Sequence, residues 1–106
     1  MAPSIPAAKV DTIVFACEAG MGSSVMGVNA LKKKLKQANL RVNVVHKPVR
    51  SVPSDAQVIV AHKGLANFAR EKAPGAVVVA FSSFLNDPAL DRLVQSLKDG
   101  GDVVEA

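Results

Sequence analysis

The chain has no tryptophan, no tyrosine, a single cysteine and four phenylalanines among its 106 residues. Each scarcity excludes something. One cysteine cannot form an internal disulfide, and with His46 and His62 as the only histidines a structural zinc site is not assembled unless a carboxylate joins. Neither a metal nor a cofactor is expected. Aromatics at 4% argue against a single-stranded nucleic-acid binder, which interleaves stacking rings with basic side chains. The net charge of +4 therefore permits an anionic partner without pointing to nucleic acid. Long apolar runs are missing as well: those around Val58–Ala61 and Ala76–Phe81 fall far short of the roughly 20 residues a spanning helix needs. Met1–Lys9 has neither the basic start nor the apolar stretch of a secretory signal. These features lead us to expect a soluble, cytosolic, single-domain chain.

What is present alternates between strand-like and helix-like patterns. Residues 1–10, with Pro3 and Pro6 among small residues, read as a leader or linker; residues 11–98 read as the domain, and 99–106 as a flexible tail. Thr12–Ala16 is a continuous, largely apolar run opening on three β-branched residues, as in a strand buried on both faces, and Cys17 ends it. Ser23 or Ser24 is suited to cap a helix in which Val25, Val28, Leu31, Leu35 and Ala38 share a face, with Asn39 suited to end it. Lys32, Lys33, Lys34 and Lys36 crowd its last turns, where they complement the helix dipole. Val42–His46 alternates like an edge strand, Pro48, Pro53 and Asp55 punctuate a loop, and Val58–Ala61 is a third strand followed by His62-Lys63-Gly64. A short helix from Leu65 to Lys72, with Leu65, Phe68 and Ala69 facing inward, precedes a fourth strand at Ala76–Phe81. Asn86 or Asp87 before Pro88 opens a last helix through Leu90, Leu93, Val94 and Leu97, which Gly100-Gly101 ends. Four strands alternating with helices imply a three-layer α/β fold with a parallel sheet. In such a sheet ligands bind at the edge formed by the C-terminal strand ends, which would gather Cys17, His46-Lys47, His62-Lys63 and Ser82-Ser83.

The segment Cys17-Glu18-Ala19-Gly20-Met21-Gly22-Ser23-Ser24 runs from the first strand into the first helix. Gly20 and Gly22 permit backbone conformations that turn successive N–H groups inward, and the helix start adds unsatisfied donors and a positive dipole end. That is a cradle for a tetrahedral dianion. A cysteine at its lip gains thiolate character, and the cradle would stabilise a phosphoryl group that the sulfur has accepted. The dinucleotide pattern G-x-G-x-x-G is broken by Val25, and no Gly-Lys-[Ser/Thr] triplet of a P-loop occurs. A cysteine at the head of an anion nest points instead to covalent phosphoryl chemistry.

Phe15-Ala-Cys-Glu-Ala-Gly-Met-Gly-Ser-Ser-Val-Met-Gly27 resembles the phosphorylation-site loop of the IIB components of the bacterial sugar phosphotransferase system, the mannitol-type family in particular. Leu31-Lys-Lys-Lys34, Val58-Ile-Val-Ala-His-Lys63 and Phe84-Leu-Asn86 extend the likeness over about residues 11–97. The resemblance implies a four-stranded parallel sheet in the order 2-1-3-4 with helices on both faces, similar to low-molecular-weight tyrosine phosphatases. It also implies a carrier function. Cys17 would take a phosphoryl group from a phosphohistidine of a IIA partner and pass it to a hexitol held by a membrane IIC partner, at the inner face of the cell membrane. Ala19, Gly20, Met21, Gly22, Ser23 and Ser24 would bind the phosphate, with Glu18, His62 and Lys63 as auxiliary groups. Family members often carry Asp where Glu18 stands, and a like charge beside the thiolate opposes the effect of the nest. Transient docking implies a monomer.

Two alternatives share the loop. A cysteine-dependent phosphatase, or an arsenate-reductase-like enzyme, would have an arginine at position 23 to clamp the transferring phosphoryl group, and Ser23 stands there. A non-catalytic regulatory module would keep the fold without the transfer.

Overall fold

A strand whose every side chain is apolar has no face to offer water, so the segments around residues 12–16, 58–61 and 77–81 must lie in a sheet covered on both sides. The computed structural model, in which residues 4–17, 23–40, 42–81 and 88–104 are described, arranges them in that way. In chain order the elements are β1 (Ser4–Pro6), β2 (Thr12–Cys17), α1 (Ser23–Gln37), β3 (Asn43–Pro48), β4 (Val58–His62), α2 (Ala66–Lys72), β5 (Val77–Phe81), α3 (Pro88–Asp99) and β6 (Asp102–Val104). Four parallel strands form one sheet in the order β3-β2-β4-β5. Numbered among themselves, these strands stand in the expected order 2-1-3-4.

Strand alternation sorts the core into two layers. On one face Ile13, Phe15, Val58, Val60, Val77, Val79 and Phe81 pack with Val28, Leu31 and Leu35 of α1 and Leu90, Leu93 and Leu97 of α3. On the other, Val14, Ala16, Ile59, Ala61 and Val78 pack with Ala66, Ala69 and Ala73 around α2 and with Val49 and Val52 of the preceding loop. Small alanines let α2 sit close to the sheet, whereas leucines hold α1 and α3. A short ion pair, Lys34 Nζ to Asp91 Oδ1 at 2.7 Å, links α1 to α3 across their outer surfaces. Being exposed, it adds at most about 1 kcal/mol.

The helix ends obey local chemistry. Asn39 adopts φ 58°, the left-handed conformation its side chain tolerates. The Leu40 N–H then donates to the Leu35 carbonyl at 2.9 Å and the Asn39 N–H to the Lys36 carbonyl at 3.0 Å, a Schellman closure of α1. Pro88 is the first residue of α3, and Gly100 beyond its end has φ 73°. The expected caps at Asn86 and Asp87 and the side chains of Val25 and Met26 lie outside the described residues and side chains.

Four expectations are corrected. Residues 4–6 and 102–104 are neither loose leader nor loose tail: β1 pairs antiparallel with β6, Ser4 opposite Val104, and the Ala7 N–H donates to the Gly101 carbonyl at 2.9 Å. Val10 and Val103 join the core, which supplies the burial that holds such short strands. β3 continues to Pro48, which an edge strand accommodates because it needs no donor on its outer side. His62 ends β4 rather than following it, paired with Phe81. Phe68 faces outward, 44% exposed under the Lys72 ammonium at 5.8 Å, because α2 presents its alanines to the sheet.

Gln57 ties the entry of β2 to the sheet. Its Oε1 accepts from the Asp11 and Thr12 N–H groups at 2.8 and 3.2 Å, and its Nε2 donates to the Lys9 carbonyl at 2.7 Å. Gln57→Ala is expected to lower stability by about 1–3 kcal/mol and to speed amide exchange at Asp11 and Thr12, read by chemical denaturation and hydrogen exchange. Leu31→Ala, which empties a fully buried site under α1, is expected to cost about 2–5 kcal/mol in the same denaturation measurement.

Candidate functional site at the C-terminal edge of the sheet

Parallel pairing brings the last residues of all four strands to one edge. Cys17 ends the central strand β2 opposite Pro48 of β3, and His62 ends β4 opposite Phe81 of β5. Ala16 pairs with Ala61, so Cys17 and His62 occupy the next register step on adjacent strands. The chain leaves β2 toward β3 and returns across it to β4, which makes the boundary between β2 and β4 the topological switch point, where open α/β sheets hold ligands. α1 begins at Ser23, so its N-terminal donors and positive dipole end follow Cys17 by one short connection.

Under this edge lies an aromatic row. Phe15 and Phe81, both buried, are tilted against each other with centroids 5.4 Å apart. His46 on β3 meets Phe15 edge-on at 6.3 Å, and His62 meets Phe81 edge-on at 5.8 Å. The half-buried His62 ring is fixed a second way. The Gly64 N–H donates to its Nδ1 at 3.1 Å, so the neutral ring carries its proton on Nε2. The turn after β4 is held by the Lys63 N–H on the Phe81 carbonyl at 2.8 Å and the Leu65 N–H on the His62 carbonyl at 2.7 Å. A Cβ at Gly64 would sit 3.4 Å from His62 Nδ1, in ordinary van der Waals contact, so backbone and ring are closely apposed there.

The sequence-predicted site residues divide accordingly. Cys17, Ser23 and Ser24 have their backbones placed at the β2 end and the α1 start, and His62 and Lys63 are at the same edge, Lys63 exposed. Glu18, Ala19, Gly20, Met21 and Gly22, with Ser82 and Ser83, lie outside the described residues, as do the side chains of Cys17, Ser23 and Ser24. His46 and Lys47 are exposed on the edge strand on the other side of β2. Sequence reasoning did not find the Gly64–His62 bond or the Phe15–Phe81 pair. The available signal was the period of two that puts Phe15, His62 and Phe81 on one face once His62 is counted within its strand. Among the described residues no cluster of three His, Cys, Asp or Glu side chains is placed to hold a metal ion. No described helix is long and apolar enough to cross a membrane.

Comparison with known proteins agrees with this geometry. The mannitol-specific EIICB component of the PTS system from Bacillus subtilis is 42% identical over 90 residues, which is 85% of this chain and 19% of that protein. The mannitol-specific EIICBA component from Buchnera aphidicola is 42% identical over 90 residues, 84% of this chain and 14% of that protein. The chain thus spans about a fifth or less of the length of these curated relatives. Among solved structures, the lactose-specific IIB component domain of the phosphoenolpyruvate:carbohydrate phosphotransferase system from Streptococcus pneumoniae has the same fold. Its TM-score is 0.56 at 17% identity, with 87% of this chain and 91% of that chain covered. The family model for the lactose/cellobiose-specific IIB subunit of the PTS system matches residues 12–96, from the first residue of β2 into the last turns of α3. The β1–β6 ribbon, its connections and the last residues of α3 fall outside that match, and the chain belongs to this PTS IIB family.

Proposed function

We propose that this domain is a phosphoryl carrier in which Cys17 accepts a phosphoryl group from a phosphohistidine of a IIA partner and delivers it to a sugar held by a membrane IIC partner. Membership of the IIB family makes its role one in sugar phosphotransfer. The observation that carries the finer reading is the placement of Cys17 at the end of the central strand, at the switch point and just ahead of the α1 N-terminus. The mannitol-specific relatives favour mannitol as the sugar, giving a protein-phosphocysteine–sugar phosphotransferase that works at the inner face of the membrane.

The chemistry is two in-line displacements. In the first, the Cys17 thiolate attacks phosphorus, a sulfur–phosphorus bond forms, the nitrogen–phosphorus bond breaks, and the electron pair returns to the donor imidazole, which takes up a proton. In the second, a sugar hydroxyl oxygen attacks the same phosphorus as its proton leaves to a base on the acceptor side, and the thiolate departs. In this reading N–H groups of residues 19–24 and the Ser23 and Ser24 hydroxyls stabilise the phosphoryl oxygens, with Glu18 and Lys63 as auxiliary groups. Ser23 in place of the phosphatase arginine leaves water without a clamp to assist its attack, so the thiophosphate persists until the acceptor arrives.

Incubation with the phosphotransferase relay and phosphoenolpyruvate is expected to place one phosphate on Cys17, read by peptide mass spectrometry. Cys17→Ser should carry no label, and label at another residue in that variant would refute the assignment. His62, fixed by Gly64 and Phe81, is assigned a positioning role at the edge. His62→Ala is expected to slow donor-to-Cys17 transfer by about tenfold. His62→Asn, whose amide oxygen can accept from Gly64, should recover part of that rate with an unchanged melting temperature.

A further inference from the structure

The charge of this chain is segregated. Residues 19–54 contain seven Lys and Arg and no Asp or Glu, a formal charge of +7, whereas the remainder has six basic against nine acidic residues, −3. α1 packs over the edge strand β3, so the lysines on its outer side lie along one flank of the molecule. The exposed described positions of α1 are Asn29, Lys32, Lys33, Lys36 and Gln37, spaced so that they form one stripe along the helix. Lys34 is turned to Asp91, and Lys32, Lys33 and Lys36 have no acidic partner among the described residues. Lys47, opposite Ala16 in the register, and Arg50, in the turn beyond it, lie exposed on the α2 side of the sheet and stand apart from this stripe.

Near the end of the stripe, Lys32 and Lys36 rim a shallow depression of about 560 Å³ completed by Leu35, Asn39, Leu40 and Val42. Leu35 is buried and Leu40 and Val42 are half-buried, so two ammonium groups stand over an apolar floor. That combination matches a phosphodiester with carbon beneath it. The stripe itself holds lysines and amides with no aromatic or arginine anchor, and lysine is the residue protein interfaces deplete at their cores. Long flexible ammonium side chains over a helix and an edge strand suit a fluid anionic surface instead.

We propose that the α1–β3 flank is a membrane-contact surface that lies on the anionic phospholipid headgroups of a bilayer. The binding rests on charge placement and the depression alone. Only its use, holding the domain beside a membrane acceptor, rests on the carrier reading above.

The test is sedimentation of the full chain with vesicles of phosphatidylcholine alone or of a roughly 2:1 mixture with phosphatidylglycerol, with salt varied around ~0.15 M. The chain should bind the mixed vesicles at low salt, release them as salt rises, and ignore the neutral ones. The triple variant Lys32→Gln, Lys33→Gln, Lys36→Gln should lose about fivefold in affinity per lysine, on the order of 100-fold in all. The triple variant Lys72→Gln, Arg92→Gln, Lys98→Gln removes the same charge elsewhere and should change binding by only a few-fold. Equal loss in the two triple variants, or wild-type binding that is absent or indifferent to phosphatidylglycerol, would overturn the proposal. So would a first triple variant that leaves vesicle binding intact but slows transfer from the phosphorylated donor, which would assign the flank to an acidic protein. Cys17→Ser should bind vesicles as wild type does, so failure of the carrier reading and failure of this surface are told apart.

Discussion

β2 is hydrogen-bonded along both sides, to β3 and to β4, and is covered on both faces by apolar layers. This double constraint fixes everything downstream of it. In a strand of period two, a slip of one residue would exchange the residues facing α1 and α3 with those facing α2, moving Phe15 from a site that accepts a ring to one lined with alanine. Register is therefore held by the core itself, and the end of the strand inherits that precision. Cys17 directly follows Ala16, a buried position of β2, so the residue proposed as phosphoryl acceptor is carried by a strand held along both sides.

The opposite end of β2 is secured differently. Gln57 supplies a side-chain amide where no further strand residue is available to satisfy the backbone of Lys9, Asp11 and Thr12, and its own carbonyl accepts the Val77 N–H at 3.0 Å. One residue thus joins the entries of β2, β4 and β5. At the C-terminal edge rings meet instead, with Phe81 of β5 against both Phe15 of β2 and His62 of β4. The N-terminal entry of the sheet is thus tied by a side-chain amide, and its C-terminal edge by rings together with the hydrogen-bonded turn after β4.

How much of this was legible in the sequence depended on the range of the interaction. Apolar runs rich in β-branched residues at 12–16, 58–61 and 77–81 announced buried parallel strands, and the residues needed for αL and N1 positions, Asn39 and Pro88, announced helix ends, because these are local signals. The β1–β6 pair was not legible. Three-residue strands have no periodicity, and theirs form only because residues about a hundred positions apart meet. Phe68 was assigned inward from spacing alone, but alanines at 66, 69 and 73 define the buried face of α2, a preference for close approach that hydrophobicity does not reveal. For the site, the cysteine, the glycines and the serines were readable as a motif, while the Gly64–His62 bond depended on knowing that β4 runs one residue further than its apolar run.

The β1–β6 ribbon has a kinetic meaning. It closes a loop between residues 4 and 104, so the entropy of closure must be met before its few hydrogen bonds and the burial of Val103 return anything. Such a ribbon assembles after the parallel sheet and is the first element to open by sub-global fluctuation. When it opens, Val103 leaves the layer that holds α3, and the domain exposes an apolar seam at the end remote from Cys17 while the strands that carry the cysteine remain paired.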